Sequence, residues 1–269
     1  MKFILGGRGR LGQALSRQFA ADGVCGLDRE VYQDWSAEDG ASGAARFFDS
    51  HAVRGDTVLV ASGLLDPALP AAEHARINVT LPSNIIAAAA TRGLHVVTFG
   101  TVMETLQANP NPYVRSKLAL AGIAAVAAAT QAVTHIRVHT LYGAGEPSPF
   151  MFLGQILTSL RSGTPFEMTS GRQLREYHHV DDEARAIATL CDAGVRGVFD
   201  LSSGTPVTLR DLALAIFDAF DAGPLLRLGA RPEPAEENYG AVFQAHPLLR
   251  ASDFRPTIPS VVSYLQAYV

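Results

Sequence analysis

The chain has 269 residues, 48% of them hydrophobic and 18% charged, which is enough apolar material for a large folded core and excludes a disordered chain. A net charge of −4 without a Lys/Arg stripe argues against a nucleic-acid partner. Two cysteines far apart, Cys25 and Cys191, supply neither a disulfide framework nor a zinc site.

The N-terminal apolar run breaks at glycine, and the longest apolar stretches, such as NIIAAAA, are too short to span a bilayer. A cytoplasmic protein with no membrane partner is expected. In chain order, short apolar runs recur: KFILGG, VCGLD, TVLVAS, HVVTFG, THIRVHTLYG and GVFDLSS. Between them lie amphipathic or Ala-rich stretches: RLGQALSRQFAADG, GAARFFDSHA, AEHARINVTLPSNIIAAAATRG and YVRSKLALAGIAAVAAATQA. Continuous apolar strands alternating with helices predict an α/β fold, a parallel sheet covered on both faces. Pro and Gly cluster in GAGEPSPF after Tyr142, read as the exit from the sheet, and again in GARPEPAEE. The chain returns to the sheet at GVFDLSS, and from about Thr208 a small mixed lobe is expected.

Two constellations carry chemistry. The first strand runs into Gly6-x-x-Gly9-x-x-Gly12, with Arg8 and Arg10 interleaved and a helix opening at Leu11. A helix N-terminus offers free N–H groups and a positive dipole end, and glycine lets the backbone approach a pyrophosphate. The second strand ends in Asp28, at about the spacing where an acidic residue meets an adenosine ribose 2′-OH. Further on, NPYVRSKLALAG places Tyr113 and Lys117 one helical turn apart on one face. An ammonium beside a phenol favours phenolate, so a lowered Tyr113 pKa and an acid/base role are expected.

Together with INVTLPSNIIAAA, RVHTLYGAGE and REYHHVDDEARAI, these segments resemble the extended short-chain dehydrogenase/reductase family. More narrowly they are similar to its NAD-dependent epimerase/dehydratase branch, which acts on nucleotide sugars. The resemblance implies a Rossmann-type doubly wound parallel sheet with a small C-terminal substrate-binding lobe. The dinucleotide-binding domain would comprise residues 1–142 and about 176–204, and the substrate lobe about 143–175 and 205–269. Gly6, Gly9 and Gly12, with Arg8, Arg10 and Leu11 around them, would hold the cofactor pyrophosphate. Asp28 would bind the adenosine ribose, Ala61, Ser62 and Gly63 would border the cofactor, and Asn78 would sit behind the nicotinamide-side loop. Tyr113 would be the catalytic acid/base. Lys117 would hold the nicotinamide ribose and tune Tyr113. Arg175 would contact a substrate diphosphate. NAD is the expected cofactor, because Asp28 repels a 2′-phosphate; NADP stays open, because Arg8 and Arg29 are close in sequence to the same ribose. The helix carrying Tyr113 and Lys117 pairs two subunits in many relatives, so a homodimer is implied.

Departures from the pattern are specific. Where relatives carry a Ser or Thr that bonds the substrate hydroxyl, this chain has Phe99, flanked by Thr98 and Thr101. Either threonine takes that role or the partner is missing, and the second case describes a cofactor-binding sensor without turnover. Thr140 stands where many relatives have Asn, a candidate substrate contact. The adjacent His178 and His179 project in different directions and suit one metal ion poorly, so no metal is expected. Asp181 and Asp182 read as the acidic start of a helix, and Arg172 as a solvated surface residue. Ser116 lacks a nucleophile elbow, and Arg231 matches a phosphate-closing position only loosely.

Overall fold

The computed structural model describes all 269 residues, which divide into two compact units. The first comprises 1–138 and 184–201, and the second 139–183 and 202–269. The first unit holds six parallel strands: β1 (Lys2–Leu5), β2 (Val24–Leu27), β3 (Thr57–Val60), β4 (His95–Thr101), β5 (Val133–Val138) and β6 (Gly197–Asp200). Their order is β2-β1-β3-β4-β5-β6. The chain steps outward from β1 to β2 and then returns to the other side of β1 to lay down β3. That reversal is the topological switch point of a Rossmann-like sheet, where ligands bind at the carboxyl ends of the strands. Gly6 leaves one of those two strands, and Ala61 and Ser62 leave the other.

The strands are β-branched and buried on both faces, as a sheet sandwiched by helices requires. Helix α1 (Arg10–Gln18) follows β1 and α2 (Ala41–His51) precedes β3. Helix α3 starts as Ala71–Ala75, passes through a π-helical turn at Arg76–Thr80 and finishes as Leu81–Ala90. Helix α4 (Pro112–Ala128) is capped by Asn111, whose side chain accepts the Val114 N–H at 2.9 Å. One core joins Phe3, Leu5, Val58, Val60 and Val96 to Phe48, Leu81 and Ile85.

The run Thr134–Tyr142 reads as one strand in sequence, but the structure breaks it at His139. Beyond Val138 the backbone changes partner, and Thr140–Tyr142 pairs with Tyr177–His179 in a separate two-stranded sheet. The second unit has its own core around Tyr142, Ile156, Phe166, Leu212, Phe217, Val261 and Leu265. Its helices are α5 (Phe152–Ser162), α7 (Leu209–Ala219) and α8 (Thr257–Gln266). Between them in sequence, α6 (Val180–Asp192) opens with Asp181, Asp182 and Glu183. Asp182 is committed to Arg255, accepting its backbone N–H at 2.8 Å.

Glycines 12 and 122 make opposite predictions. A Cβ on Gly12 would lie 2.2 Å from the Gly6 carbonyl oxygen, while one on Gly122, on the exposed side of α4, would meet nothing. Gly12→Ala is expected to lose about 1–3 kcal/mol through overpacking, and Gly122→Ala to gain about 0.5–1 kcal/mol from helix propensity. Urea unfolding of both variants checks the pair.

Candidate active site

The β1–α1 turn is built so that backbone lies on backbone. Gly6 has φ +80°, and a Cβ there would lie 2.5 Å from the Ser62 nitrogen. Gly9 donates its N–H back to the Gly6 carbonyl at 2.9 Å. No side chain caps the start of α1, and a Cβ on Gly7 would meet nothing within 4 Å. The turn thus presents an uncapped, positive helix end beside open space, which fits a pyrophosphate. Arg10 and Leu11 open α1, half-buried. Asp28 sits at the N-terminal end of the short helix Arg29–Tyr32, its carboxylate exposed. The Arg8 guanidinium lies 3.9 Å from Asp28 and 3.9 Å from Glu30. Glu30 is a second carboxylate at this end of the sheet that the spacing argument missed. Arg29 contributes to holding the Glu73 carboxyl down, after the larger effect of its bonded partner Arg76.

Lys117 is buried, and its ammonium donates to the Phe99 carbonyl at 2.8 Å, fastening α4 to β4. A Cβ on Gly63 would lie 3.4 Å from Lys117 Nζ and 3.3 Å from Asn78 Oδ1, so the loop after β3 passes close to both. Asn78 lies in the π-helical turn and is fully engaged. Its Oδ1 accepts the Leu64 N–H at 2.8 Å, and its Nδ2 donates to the Leu64 carbonyl at 3.0 Å and to Ser116 Oγ at 3.0 Å. Ser116 in turn donates to the Tyr113 carbonyl at 2.6 Å. Asn78 therefore ties the β3 loop to the turn of α4 that carries Tyr113. An inserted π turn is a common device at functional sites, because it re-aims one side chain without ending the helix.

The electrostatics correct one expectation. The Tyr113 phenol is raised above its ordinary value, not lowered: burial disfavours the phenolate, and the Glu104 carboxylate adds to it. Burial pushes the Lys117 ammonium down to about 8, with Glu104 opposing the fall. Glu104 is the residue that composition and spacing did not reveal. Its Oε1 accepts the Thr101 N–H at 2.7 Å, and its side chain is 1% exposed. It reaches its place because Gly100 has no side chain: a Cβ there would lie 2.1 Å from Glu104 Oε1 and 2.3 Å from His135 Nε2. Arg137 then links Glu104, at 3.8 Å, to Asp200, at 3.1 Å.

Phe99 is buried, and the two threonines beside it differ. Thr98 is fully buried with its hydroxyl 2.8 Å from His135 Nδ1, facing β5. Thr101 points to the opposite face of the strand and accepts the Met103 N–H at 3.3 Å. Of the two, Thr101 is the hydroxyl at the carboxyl end of β4.

In the second unit, Thr140 donates its N–H to the Glu176 carbonyl at 3.2 Å. Arg175 is paired with Glu237 at 2.5 Å. Arg172, expected as solvated, lies 5.2 Å above the Tyr239 ring. The two histidines of REYHHVDD take different partners: His179 lies 3.6 Å from Asp181, while His178 belongs to a buried ion-pair cluster. His178 bridges Glu176 at 3.0 Å and Glu183 at 2.8 Å, all three buried. Glu176 also accepts Ser203 N–H at 2.7 Å and the Ser202 and Ser203 hydroxyls. Burial alone would raise Glu176, but His178, His139 and the two serines hold it at about 2.

The sequence profile of the NAD dependent epimerase/dehydratase family matches residues 3–200. The chain belongs to this family. Solved structures share its fold at low identity. MoeE5 in complex with UDP-glucose and NAD is 20% identical, with TM-score 0.76, covering 99% of this chain and 97% of that one. The dTDP-glucose 4,6-dehydratase DesIV from Streptomyces venezuelae, with NAD bound, is 21% identical with TM-score 0.77, covering 100% and 97%. The UDP-glucose 4-epimerase of Thermus thermophilus, with NAD, is 18% identical with TM-score 0.72, covering 100% of both chains. No curated protein sequence matches the chain.

The buried His178 makes a pH prediction. Burial would push its pKa down, but Glu183 and Glu176 push it up to about 9, so the folded chain holds this proton more tightly than the unfolded chain. The stabilisation is full below the ordinary histidine value and is lost as pH rises through about 9. At most about 3 kcal/mol is at stake. The urea midpoint of the native sequence, taken relative to that of His178→Asn, is expected to fall between pH 6.5 and 9.5; the comparison cancels the opposite contribution of Lys117, whose lowered pKa relieves a penalty as pH rises above about 8.

Proposed function

We propose that this family member is an NAD-dependent enzyme that oxidises a carbinol, or reduces the corresponding ketone, of a nucleotide-activated sugar, as an epimerase, dehydratase or ketoreductase. The observation that carries the reading is the contact line Gly6–Ser62–Gly63–Lys117, which runs from the uncapped α1 turn to the helix turn bearing Tyr113. NAD held on that turn would supply the hydride acceptor. Tyr113 would take the sugar hydroxyl proton on oxidation and return it on reduction. Its raised pKa keeps the phenol protonated in the free protein, ready for the donor role. Lys117 would hold the nicotinamide ribose, and its charge would help the phenolate form once Tyr113 faces the reacting hydroxyl. Asn78 would keep the β3 loop in register with Tyr113. Thr101 would orient the hydroxyl, as Thr98 is taken by His135. In the second unit, Thr140 and Arg175 would meet the sugar and its diphosphate.

Asp28 and Glu30 place two carboxylates around the single Arg8, which favours a free 2′-OH over a 2′-phosphate. The outward face of α4 carries exposed Leu118, Ile123 and Val126 among alanines, a surface suited to pairing two copies of the chain. A second reading has its own support: with Phe99 at the hydroxyl-partner position, the same fold would serve as a cofactor-binding sensor without turnover.

One experiment separates the two readings. The purified chain is incubated with a panel of UDP- and dTDP-sugars with NAD, and of their keto derivatives with NADH. The sugar products are read by chromatography and NMR, because epimerisation and dehydration return the hydride and leave nicotinamide absorbance unchanged. Turnover is expected, and Tyr113→Phe should lower it about 10²–10⁴-fold while NAD binds that variant as before and NADP more weakly. A Tyr113→Phe variant with undiminished turnover would defeat the acid/base assignment, and NAD binding without turnover across the panel would favour the sensor. Light scattering on a sizing column should show a dimer that Val126→Glu converts to monomer; a native monomer would remove the pairing proposal.

A further inference from the structure

Arg175 already holds an anion. Its Nη2 lies 2.5 Å from Glu237 Oε2, and Nη1 donates to its own neighbour's carbonyl, Leu174, at 2.8 Å. The two side chains are only 17% and 15% exposed. Glu237 belongs to the segment 231–241, which is stitched along 168–175. Arg231 donates its N–H to the Met168 carbonyl at 3.1 Å, and Glu233 accepts the Ser170 N–H at 2.9 Å. Tyr239 donates to Glu233 at 3.1 Å, and Leu174 donates its N–H to the Asn238 carbonyl at 2.8 Å. The Asn238 side chain closes its own turn by accepting the Ala241 N–H at 2.8 Å.

We propose that Glu237 is a built-in competitor for the substrate diphosphate at Arg175, and so a specificity-determining residue that admits ligands bringing that charge. The inference rests on reading Arg175 as the phosphate contact. A guanidinium binds a carboxylate and a phosphate through the same planar fork of N–H donors, so one group excludes the other. A diphosphate carries more charge than one carboxylate and displaces it. A neutral nucleoside gains nothing from doing so. The exchange needs only a side-chain rotation, which breaks the Arg175 pair and the bond that Glu237 Oε1 accepts from the Asn238 N–H at 2.9 Å. Asn238 on one side and Glu233 further along on the other hold the strap, so it stays seated while the carboxylate swings clear. The apparent affinity of any ligand that uses Arg175 is reduced by the fraction of molecules in which Glu237 occupies it. Discrimination then comes from a built-in repulsive element as well as from the attractive arginine.

The test titrates UDP, dTDP, uridine and thymidine into the full-length protein with NAD present, by calorimetry, using Glu237→Gln, Arg175→Ala and the double variant. Melting curves confirm folding. Glu237→Gln is expected to tighten the better-bound diphosphate roughly five- to tenfold and to leave both nucleosides unchanged. The gain should vanish in the Arg175→Ala background, a non-additivity that marks one shared site. Glu237→Asp, which keeps the charge on a shorter arm, should give a smaller gain and serves if the glutamine variant does not fold. An unchanged or weakened diphosphate affinity in the Glu237 variants, with Arg175→Ala weakening it, overturns the competitor role while leaving Arg175 as the phosphate contact. Arg175→Ala binding both diphosphates as the native protein does overturns the contact itself, and the inference with it.

Discussion

The closeness of two backbones at the switch point governs the first unit. Gly6 lies so near Ser62 that any side chain would collide with the chain leaving β3. That contact brings the β1 turn and the β3 loop together. The loop, free of a side chain at Gly63, then lies against Asn78 and Lys117. Two positions without a Cβ, Gly6 and Gly63, connect the uncapped helix end to the base of Tyr113. No single strong interaction holds the line; it is a set of close approaches, each possible only where nothing projects.

Each unit also buries a charged cluster, and the two are managed differently. In the second unit, Glu176 is surrounded by hydroxyls, a backbone N–H and His178, so its charge is fully compensated. In the first unit, Glu104 has one oxygen bonded and the other without a hydrogen-bond partner, near Arg137. An incompletely satisfied buried carboxylate is expensive. It lies where its charge reaches Tyr113 and Lys117 and keeps a proton on each. Burial is the larger effect at both side chains; Glu104 adds to it at Tyr113 and opposes it at Lys117.

The sequence disclosed the sheet, its helices and the family because those signals are local or periodic: apolar runs, glycine spacing, Tyr and Lys one turn apart. It did not disclose Glu104, since Gly100 and His135, which make room for it, act through a strand pairing that spacing does not record. It misread the Tyr113 pKa for a related reason. The two residues do lie one turn apart on α4, but the Lys117 ammonium donates to the Phe99 carbonyl, and burial with the Glu104 carboxylate sets the direction at Tyr113. The strand through Val138 to Tyr142 looked continuous because β propensity continues, while the change of partner at His139 depends on Tyr177 far along the chain. Glu237 and Glu30 were invisible because each matters only for the arginine it faces.

The π-helical turn at Arg76–Thr80 has a consequence for how this protein can vary. A π turn is one residue more than an α-helix needs, and each residue of helix turns the chain by about 100°. Removing one residue there would leave a good α-helix and an intact core. It would also rotate Ala71–Ala75 and His74 away from Asn78, or Asn78 away from Leu64, and so unfasten the β3 loop from Tyr113. The segment is therefore intolerant of changes in length, and a shortened chain would keep its helix yet carry a mis-set site.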